Sequence, residues 1–233
     1  MLRQLATAKS QNIVTQFRAR REGPEAVIQD VIVDNIPQLL NPAKESWTAA
    51  SLPLGAGIPD LVVVSYEPQV FALANVELEG AEILAYLRAV GKARLDTIAE
   101  RMGGSTGILS RHLYNLVKAE AVVSSSNTFS LSPVWRRILP EIVTIEIKVA
   151  NWQRAIEQAA RNRIFAHMSF VALPEKVSRR VRTEPLFQKL GIGLISVAEN
   201  GSAVTVRKPR SRRPKVWTYY YQLASILARN RVN

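Results

Sequence analysis

The clearest hydrophobic pattern in the chain is the alternation in EIVTIEIKV, residues 141–149. Successive side chains of an extended segment point to opposite faces, so the alternation predicts a β-strand with one apolar face. That face would carry Val143, Ile145, Ile147 and Val149. The opposite face would carry Glu146 and Lys148. Charged groups are costly to bury in so apolar a strand unless they are paired, coordinated or used in chemistry.

The residues before position 77 predict a helix followed by strands. In EGPEAVIQDVIVDNIPQLL the apolar side chains fall on one helical stripe, and Pro24 suits the first turn of a helix. The segment from residue 46 to residue 76 predicts a strand, a Gly-rich turn, a second strand and a third strand. Asp60 stands at the entry to LVVVS, the most strand-like run of the chain. An acidic residue is disfavoured there without a specific reason.

Between residues 79 and 135 the pattern changes to helix, helix, turn, helix and hairpin. This order resembles winged helix-turn-helix domains, whose third helix enters the major groove of DNA. The resemblance implies DNA contacts from that helix, at Ser110, Arg111, Tyr114, Asn115 and Lys118. Residues 79–136 contain seven Lys or Arg and five Asp or Glu, a formal charge of only +2. Protein contact, which many winged helices mediate instead, therefore stays open.

Beyond Pro140 helices and strands alternate again. The strand at 141–149 leads into a predicted helix, NWQRAIEQAARNRIFAH, and then into a strand, MSFVALP. A helix, EKVSRRVRTEPLFQKLG, and two strands, IGLISVAE and AVTVRKP, follow. Elements of this length in this order predict an α/β fold, with helices on the faces of a mixed or parallel sheet. The final stretch TYYYQLASILARN predicts a closing helix.

A basic run before the closing helix is a second candidate surface for nucleic acid. Its six cations stand within nine residues, next to Trp217 and a run of three tyrosines, which suits phosphate contacts combined with base stacking. The six are Arg207, Lys208, Arg210, Arg212, Arg213 and Lys215. A solvated tail is the alternative interpretation.

Charge and composition narrow the partners and the metals. The 233 residues carry a formal net charge of +12, which favours a polyanionic partner, nucleic acid first and an anionic membrane second. The chain has no Cys and two His, so any metal site should be rich in oxygen ligands, which favours Mg²⁺ or Mn²⁺ over zinc. No apolar run reaches the length of a membrane span, and we expect a soluble, intracellular (cytoplasmic) protein.

Two short motifs stand out within this order of elements. Pro59-Asp60 heads a predicted strand, and Glu146-Ile147-Lys148 lies on a later one. The pair resembles the PD-(D/E)xK nuclease superfamily, whose restriction-endonuclease-like core runs helix, strand hairpin, strand, helix, strand. The resemblance covers residues 20–77 and 139–206.

The resemblance implies a specific domain organisation. A discontinuous nuclease domain would comprise residues 1–77 and 138–208, and an inserted winged helix-turn-helix domain would comprise residues 78–137. Residues 209–233 would form a basic and aromatic C-terminal segment that is helical. The expected fold is α/β, a restriction-endonuclease-like mixed sheet flanked by helices, with the winged helix inserted.

The resemblance also implies the roles of individual groups. Asp60 and Glu146, with the backbone carbonyl of Ile147, would hold Mg²⁺, for which Mn²⁺ would substitute. Lys148 would hold the attacking water or the charge that develops on the phosphate.

Two further residues are candidates for supporting roles. Gln158, on the helix after the EIK strand, would orient the lysine or a water, and Glu25, on the first helix, would be an additional acid. Asp30 competes with Glu25 for that role. The plain alternatives are a helix-surface residue for Gln158 and a partner of the helix dipole for Glu25.

The sequence thus predicts a metal-dependent DNA endonuclease that needs no small-molecule cofactor and no membrane. Its partner would be DNA, with a homodimer as one way to cut both strands, since one catalytic centre cuts one strand. The first alternative is a non-enzymatic DNA-binding regulator with a catalytically silent nuclease-like core. The second is a basic structural or membrane-surface protein, supported only by the basic run.

Overall fold

The computed structural model describes residues 14–19, 22–55, 57–103 and 105–232. It has a mixed seven-stranded sheet flanked by helices and a separate three-stranded sheet in the middle of the chain. The general α/β class predicted from the sequence is confirmed. Residues 1–13 of the predicted first domain lie outside the described residues. No helix in the described ranges is long and apolar enough to cross a membrane.

The helices and strands are numbered in chain order. The first third of the chain forms β1 (Val14–Gln16), α1 (Pro24–Leu40), β2 (Ser46–Ala50), β3 (Leu61–Ser65) and a 3₁₀ turn (Pro68–Leu73). The middle forms α2 (Leu78–Val90), β4 (Lys92–Arg94), α3 (Leu95–Met102), α4 (Thr106–Lys118), β5 (Val122–Ser125), β6 (Thr128–Leu131) and a second 3₁₀ turn (Pro133–Arg137). The last third forms β7 (Glu141–Ile147), α5 (Trp152–Asn162), β8 (Met168–Pro174), α6 (Glu175–Val181), α7 (Pro185–Leu190), β9 (Gly193–Val197), β10 (Ala203–Arg207) and α8 (Trp217–Val232).

The large sheet has the strand order β1-β2-β3-β7-β8-β9-β10, which puts β7 at its centre. β3 is antiparallel to both β2 and β7, whereas β7, β8 and β9 run parallel to one another. Parallel neighbours need a crossover connection, and helices provide it: α5 between β7 and β8, and α6 with α7 between β8 and β9. The edge strands β1 and β10 pair with β2 and β9 respectively.

The alternation in β7 sets its two packing faces. The residues of its apolar face are buried in one cluster with isoleucines of α1, and this cluster contains Ile28, Ile32, Ile36, Val143, Ile145 and Ile147. On the other face a hydrogen bond of 2.8 Å joins the hydroxyl groups of Thr144 and Ser169 of β8. Glu146 on that face is 1% exposed. The predicted apolar face is confirmed, and the polar face is buried just as deeply.

In the middle of the chain α2, α3 and α4 accompany the small sheet β4-β6-β5, and their buried side chains share one hydrophobic cluster with a face of the large sheet and with α8. The Oγ of Ser105 caps α4 by accepting a hydrogen bond from the Ile108 N–H. Ser126 and Asn127 both have positive φ, 48° and 59°, which is the geometry that a two-residue hairpin turn requires. We call α2 through β6 the middle unit.

The C-terminal helix α8 ties the middle unit to the large sheet. It packs against α2 and against the 3₁₀ turn Pro68–Leu73. The Tyr220 hydroxyl accepts a hydrogen bond from the Leu139 N–H at 2.8 Å and donates one to the Leu139 carbonyl. Ser225 Oγ donates to the carbonyl of Val76. These bonds hold the residues that lead into the middle unit and out of it.

Several predicted elements differ from those observed. The third strand predicted before residue 76 is wrong, because Pro68 lacks an N–H for a strand ladder and instead begins a 3₁₀ turn. The helix predicted over residues 175–191 is two helices, since Pro185 disfavours helical geometry in the preceding residue, Glu184. α5 ends at Asn162, before the predicted end at His167. The three-residue strands β1 and β4 are too short for periodicity to predict them.

The packing of α1 against the sheet predicts the effect of Ile32→Ala. Ile32 is fully buried, so the substitution should lower the free energy of unfolding by about 2–5 kcal/mol. Val27 lies on the same helix and is 64% exposed, and Val27→Ala should change the free energy by about 0.5 kcal/mol or less. Urea unfolding of the two variants measures both values. Equal losses would contradict this packing.

Candidate active site

The pairing of β3 with β7 places the two sequence motifs side by side. Leu61 pairs with Ile145 in antiparallel register, so Asp60, one residue before β3, lies opposite Glu146. Opposed residues on neighbouring strands have Cβ atoms about 4.5–5.5 Å apart. The structure therefore brings these two carboxylates, which are far apart in the sequence, to the end of the large sheet where β3 begins and β7 ends.

Asp60 is anchored to the strand that carries the EIK motif. Its Oδ2 accepts a hydrogen bond of 2.7 Å from the Ile147 N–H and lies 3.6 Å from Lys148 Nζ. Burial raises the pKa of Asp60 above its ordinary value of 3.8, against the opposing effects of the Ile147 hydrogen bond and the Lys148 charge. The carboxylate is thus held in place by β7 but is not fully stabilised in its charged form.

Glu146 is the most deeply buried acidic group of the site. Its Oε1 accepts a hydrogen bond of 2.6 Å from Asn162 Nδ2 on α5. Its Oε2 is buried and has no hydrogen-bond partner among the described residues. Burial, and next the charge of Asp60, raise the pKa of Glu146 from 4.5 to about 8, although Asn162 and Lys148 act in the opposite direction. A hydrogen bond that protonated Glu146 shares with Asp60 raises the pKa further. Without a further cation this side chain is largely protonated at neutral pH.

Lys148 lies at the point where β7 ends. Its Nζ donates to the carbonyl of Ile147 at 2.6 Å and to Glu25 Oε2 at 3.3 Å. The lysine side chain is 17% exposed, whereas that of Glu25 is 47% exposed, so solvent screens this ion pair. The acid of α1 that contacts Lys148 is Glu25 and not its competitor Asp30.

One residue of the site is not predicted from the sequence: Asn162. On α5 the buried positions Ala155, Ala159 and Asn162 form one stripe, and the only polar member of the stripe holds Glu146. A polar residue within an apolar helical stripe is the signal that could have identified it. Gln158, the predicted candidate, makes no hydrogen bond to Lys148, and its buried Oε1 has no partner among the described residues. We call Glu25, Asp60, Glu146, Lys148 and Asn162 the edge cluster.

The edge cluster has the donors that a hard divalent cation prefers. Three carboxyl groups face one ammonium group, so the cluster has an excess of negative charge when all three are ionised. The unpartnered Oε2 of Glu146, together with Asp60, fits Mg²⁺ or Mn²⁺, which prefer oxygen ligands. The carbonyl of Ile147, the third predicted ligand, accepts a hydrogen bond from Lys148, which uses one of the two lone pairs of the oxygen.

A second group of potential ligands lies elsewhere. In the described part of the chain, one group of three His or acidic residues has all its ligand atoms within 4.8 Å of one another: Glu77, Glu79 and His112. The two glutamates are exposed at the start of α2, and His112 is buried on α4. This group shares no residue with the edge cluster and gives no support to the predicted magnesium site.

The predicted DNA-contact residues of the middle unit share one face of α4. All five are exposed, and they are Ser110, Arg111, Tyr114, Asn115 and Lys118. Tyr114 is 67% exposed, which is unusual for so large an aromatic side chain. This face is therefore exposed to solvent, and DNA binding by it stays a prediction.

The basic segment 207–215 lies at the opposite end of the large sheet, where β7 and β8 begin. The Arg212 N–H donates to the His167 carbonyl, and the Lys215 N–H donates to the Ile164 carbonyl, both just before β8. His167 in turn bonds to Ile142 at the start of β7. The five residue steps from Ile142 to Ile147 span about 17 Å of strand. The structure thus separates the basic segment from the edge cluster.

Comparison of the chain with known protein families, with curated proteins and with solved structures found no match. We therefore infer function from the geometry of the edge cluster and from the order of the helices and strands.

The raised pKa of Glu146 predicts that Glu146→Gln stabilises the metal-free protein at high pH. Because the pKa is about 8 in the folded protein and 4.5 otherwise, wild-type stability falls as the pH rises between these values. The glutamine cannot ionise and avoids this loss. The variant should therefore gain on the order of a few kcal/mol over the wild type between pH 4 and pH 9.

Urea unfolding in EDTA at the two pH values measures this gain. Glu157→Gln, at an exposed position on the same helix as Asn162, is the matched control and should show no such change. A wild-type-to-variant difference for Glu146→Gln that is the same at pH 4 and pH 9 would contradict the raised pKa.

Proposed function

We propose that the protein is a metal-dependent DNA endonuclease of the PD-(D/E)xK type, which hydrolyses phosphodiester bonds at the edge cluster. The observation that carries this proposal is the carboxyl group of Glu146, which is buried next to a second carboxyl group, that of Asp60, and keeps one oxygen to which no N–H or hydroxyl group of the described residues donates. Buried polar atoms of purely structural groups are almost always hydrogen-bonded. An unpartnered oxygen beside a second carboxylate and a lysine is what a metal-binding nuclease centre needs.

The order of the elements supports the restriction-endonuclease-like fold. α1, β2, β3, β7, α5 and β8 follow one another as helix, strand hairpin, strand, helix and strand once the middle unit is set aside. Their strands are adjacent in the sheet in the order β2-β3-β7-β8. The Glu67 N–H donates to the Ile138 carbonyl at 2.9 Å, so the chain leaves the sheet and returns to it at one point. That closure supports the proposal that the middle unit is an insertion.

In this proposal Asp60 and Glu146 hold Mg²⁺, with the Ile147 carbonyl as a further ligand. The bound metal would neutralise the phosphate oxygens and lower the pKa of an attacking water. The Lys148 ammonium group would stabilise the negative charge that develops on the phosphate. Glu25 would position Lys148, and Asn162 would orient Glu146. Hydrolysis forms one P–O bond to the water oxygen and breaks one P–O bond of the backbone.

The middle unit would act as a winged helix that positions the enzyme on duplex DNA. Its support is the capped helix α4, whose exposed face carries Arg111, Tyr114 and Lys118, followed directly by the hairpin of β5 and β6. A side chain on such a helix reaches base edges or phosphates in the major groove. Contact with another protein remains the competing use of the same face.

The test of the nuclease proposal is a cleavage time course on supercoiled plasmid, with Mg²⁺, with Mn²⁺ and with EDTA. The wild type should nick the plasmid only with metal, and Lys148→Ala should lower the rate by about 100-fold or more. Lys176→Ala is the matched control, because Lys176 is an exposed lysine on α6 that pairs with Glu199. Its rate should equal that of the wild type.

Two outcomes of this experiment would reject the proposal. Nicking that survives in Lys148→Ala would show that the edge cluster is not the catalytic centre. Retardation of the plasmid without nicking, and without dependence on metal, would favour the non-enzymatic DNA-binding regulator.

Metal affinity should rise with pH up to about 8. A carboxylate must lose its proton to bind a metal, and Glu146 keeps its proton to about pH 8 in the metal-free protein. The apparent association constant for Mn²⁺ should therefore increase by up to about tenfold per pH unit between pH 6 and pH 8. Calorimetric titration at several pH values measures this, and Glu146→Gln should abolish the pH-dependent binding. Equal binding by this variant would place the metal elsewhere.

A further inference from the structure

A cavity of about 590 Å³ opens where the middle unit, α8 and the large sheet meet. It lies between the end of α2, the second 3₁₀ turn, the start of β7 and the basic segment 207–215. The lining groups that matter here are Arg88, Arg136, Arg137, His167, Arg213 and Trp217. The cavity lies at the end of the sheet where β7 begins. The edge cluster lies about 17 Å away, where β7 ends.

The lining of this cavity is strongly cationic. It includes four arginines and no acidic residue. In the described part of the chain none of the four guanidinium groups forms an ion pair with a carboxylate. Glu141 follows the cavity residue Pro140 but does not line the cavity, and burial raises its pKa. Positive charges gathered without a counterion cost free energy unless an anion binds between them.

Arg88 is held rigidly on the wall of the cavity. Its Nη1 donates to the carbonyl of Arg136 and, at 3.2 Å, to the hydroxyl of Tyr221. Its guanidinium carbon lies 3.5 Å from the centroid of the Trp217 ring, in a cation–π contact. Because these contacts fix the group, little side-chain entropy is lost when it binds an anion.

His167 contributes a neutral hydrogen-bond donor to the same cavity. Its Nδ1 accepts a hydrogen bond of 3.0 Å from the Ile142 N–H, so the proton of the neutral ring is on Nε2. Burial, followed by the charges of Arg88 and Arg137, lowers the pKa of His167 to about 4. The ring therefore stays neutral at physiological pH. The charged and neutral groups of the lining thus offer donors, which suits the oxygens of an anion.

We propose that this cavity binds a backbone phosphate of a nucleic acid strand, as an anchoring site separate from the catalytic edge. Arginine forks match phosphate oxygens in two-bond contacts. A second basic group continues from the cavity along the same edge, formed by Arg163, Lys189, Arg212 and Lys215. That continuation favours a polyanion over a single free anion. The proposal stands whether or not the edge cluster cleaves DNA.

The test measures duplex binding by fluorescence anisotropy in EDTA, so that neither metal nor cleavage is needed. In Arg136→Ala/Arg137→Ala both lost side chains are exposed, and the Arg136 carbonyl that holds Arg88 is retained. Affinity should fall by about tenfold or more, and the slope of log K against log salt should become shallower by about 1–2. The matched control is Arg179→Ala/Arg180→Ala, two exposed arginines on α6 with the same change in net charge.

The control variant should bind within about threefold of the wild type. Equal losses from both double variants would mean that only net charge matters and would overturn the proposal. No loss from either would overturn it as well. Thermal unfolding of all three proteins shows that a loss of binding is not a loss of folding.

Competition by inorganic phosphate distinguishes a phosphate of nucleic acid from a free anion as the ligand of the cavity. Phosphate should compete with the duplex more strongly than chloride at equal ionic strength, and it should do so in the wild type but not in Arg136→Ala/Arg137→Ala. If phosphate binds at the cavity but the variant keeps full affinity for the duplex, the cavity holds a free anion and the proposal is wrong. Because binding is measured in EDTA and needs no cleavage, a failure of the nuclease proposal leaves this result unchanged.

Discussion

The pairing of β3 with β7 is the constraint on which the candidate site depends. It brings Asp60 to the EIK strand across the whole middle unit, and the bond from the Ile147 N–H to Asp60 Oδ2 ends the pairing. The entropy lost in closing a loop grows only slowly with its length. Here the bond between Glu67 and Ile138 keeps the two ends of the middle segment together, and α8 packs against α2. The long segment between β3 and β7 therefore leaves their pairing intact.

Burial at the edge cluster opposes stability, because the same environment that raises the pKa of Glu146 disfavours its charged form. The hydrogen bond from Asn162 and the charge of Lys148 offset only part of this free-energy cost. Unfavourable arrangements of this kind are found where function requires them. The deep core beneath β7, formed with α1, supplies the packing that tolerates the cost.

The two ends of β7 have opposite electrostatic character. Carboxyl groups gather where the strand ends, and guanidinium groups gather where it begins. The net charge of +12 is thus not spread evenly over the protein. A polyanion would be attracted to the basic edge by its phosphates alone, whereas its approach to the acidic edge would require a cation between like charges. In the proposed function, binding and cleavage therefore depend on different groups.

The sequence by itself determined the helices and strands whose hydrophobic periodicity is strong. The alternation in β7, the stripe of α1 and the strand β8 are local patterns, and Asp60, Glu146 and Lys148 were identified because charge in an apolar strand is conspicuous. Asn162 and the arginine cavity come together only through packing of distant segments, and no local period encodes that. The position of the basic segment, opposite the edge cluster, was also decided by tertiary structure, whereas the split at Pro185 is a local effect of proline that the sequence contains. The physical reason is that strand pairing and helix docking depend on contacts between residues far apart in the chain, whereas periodicity reports only which side of one element is buried.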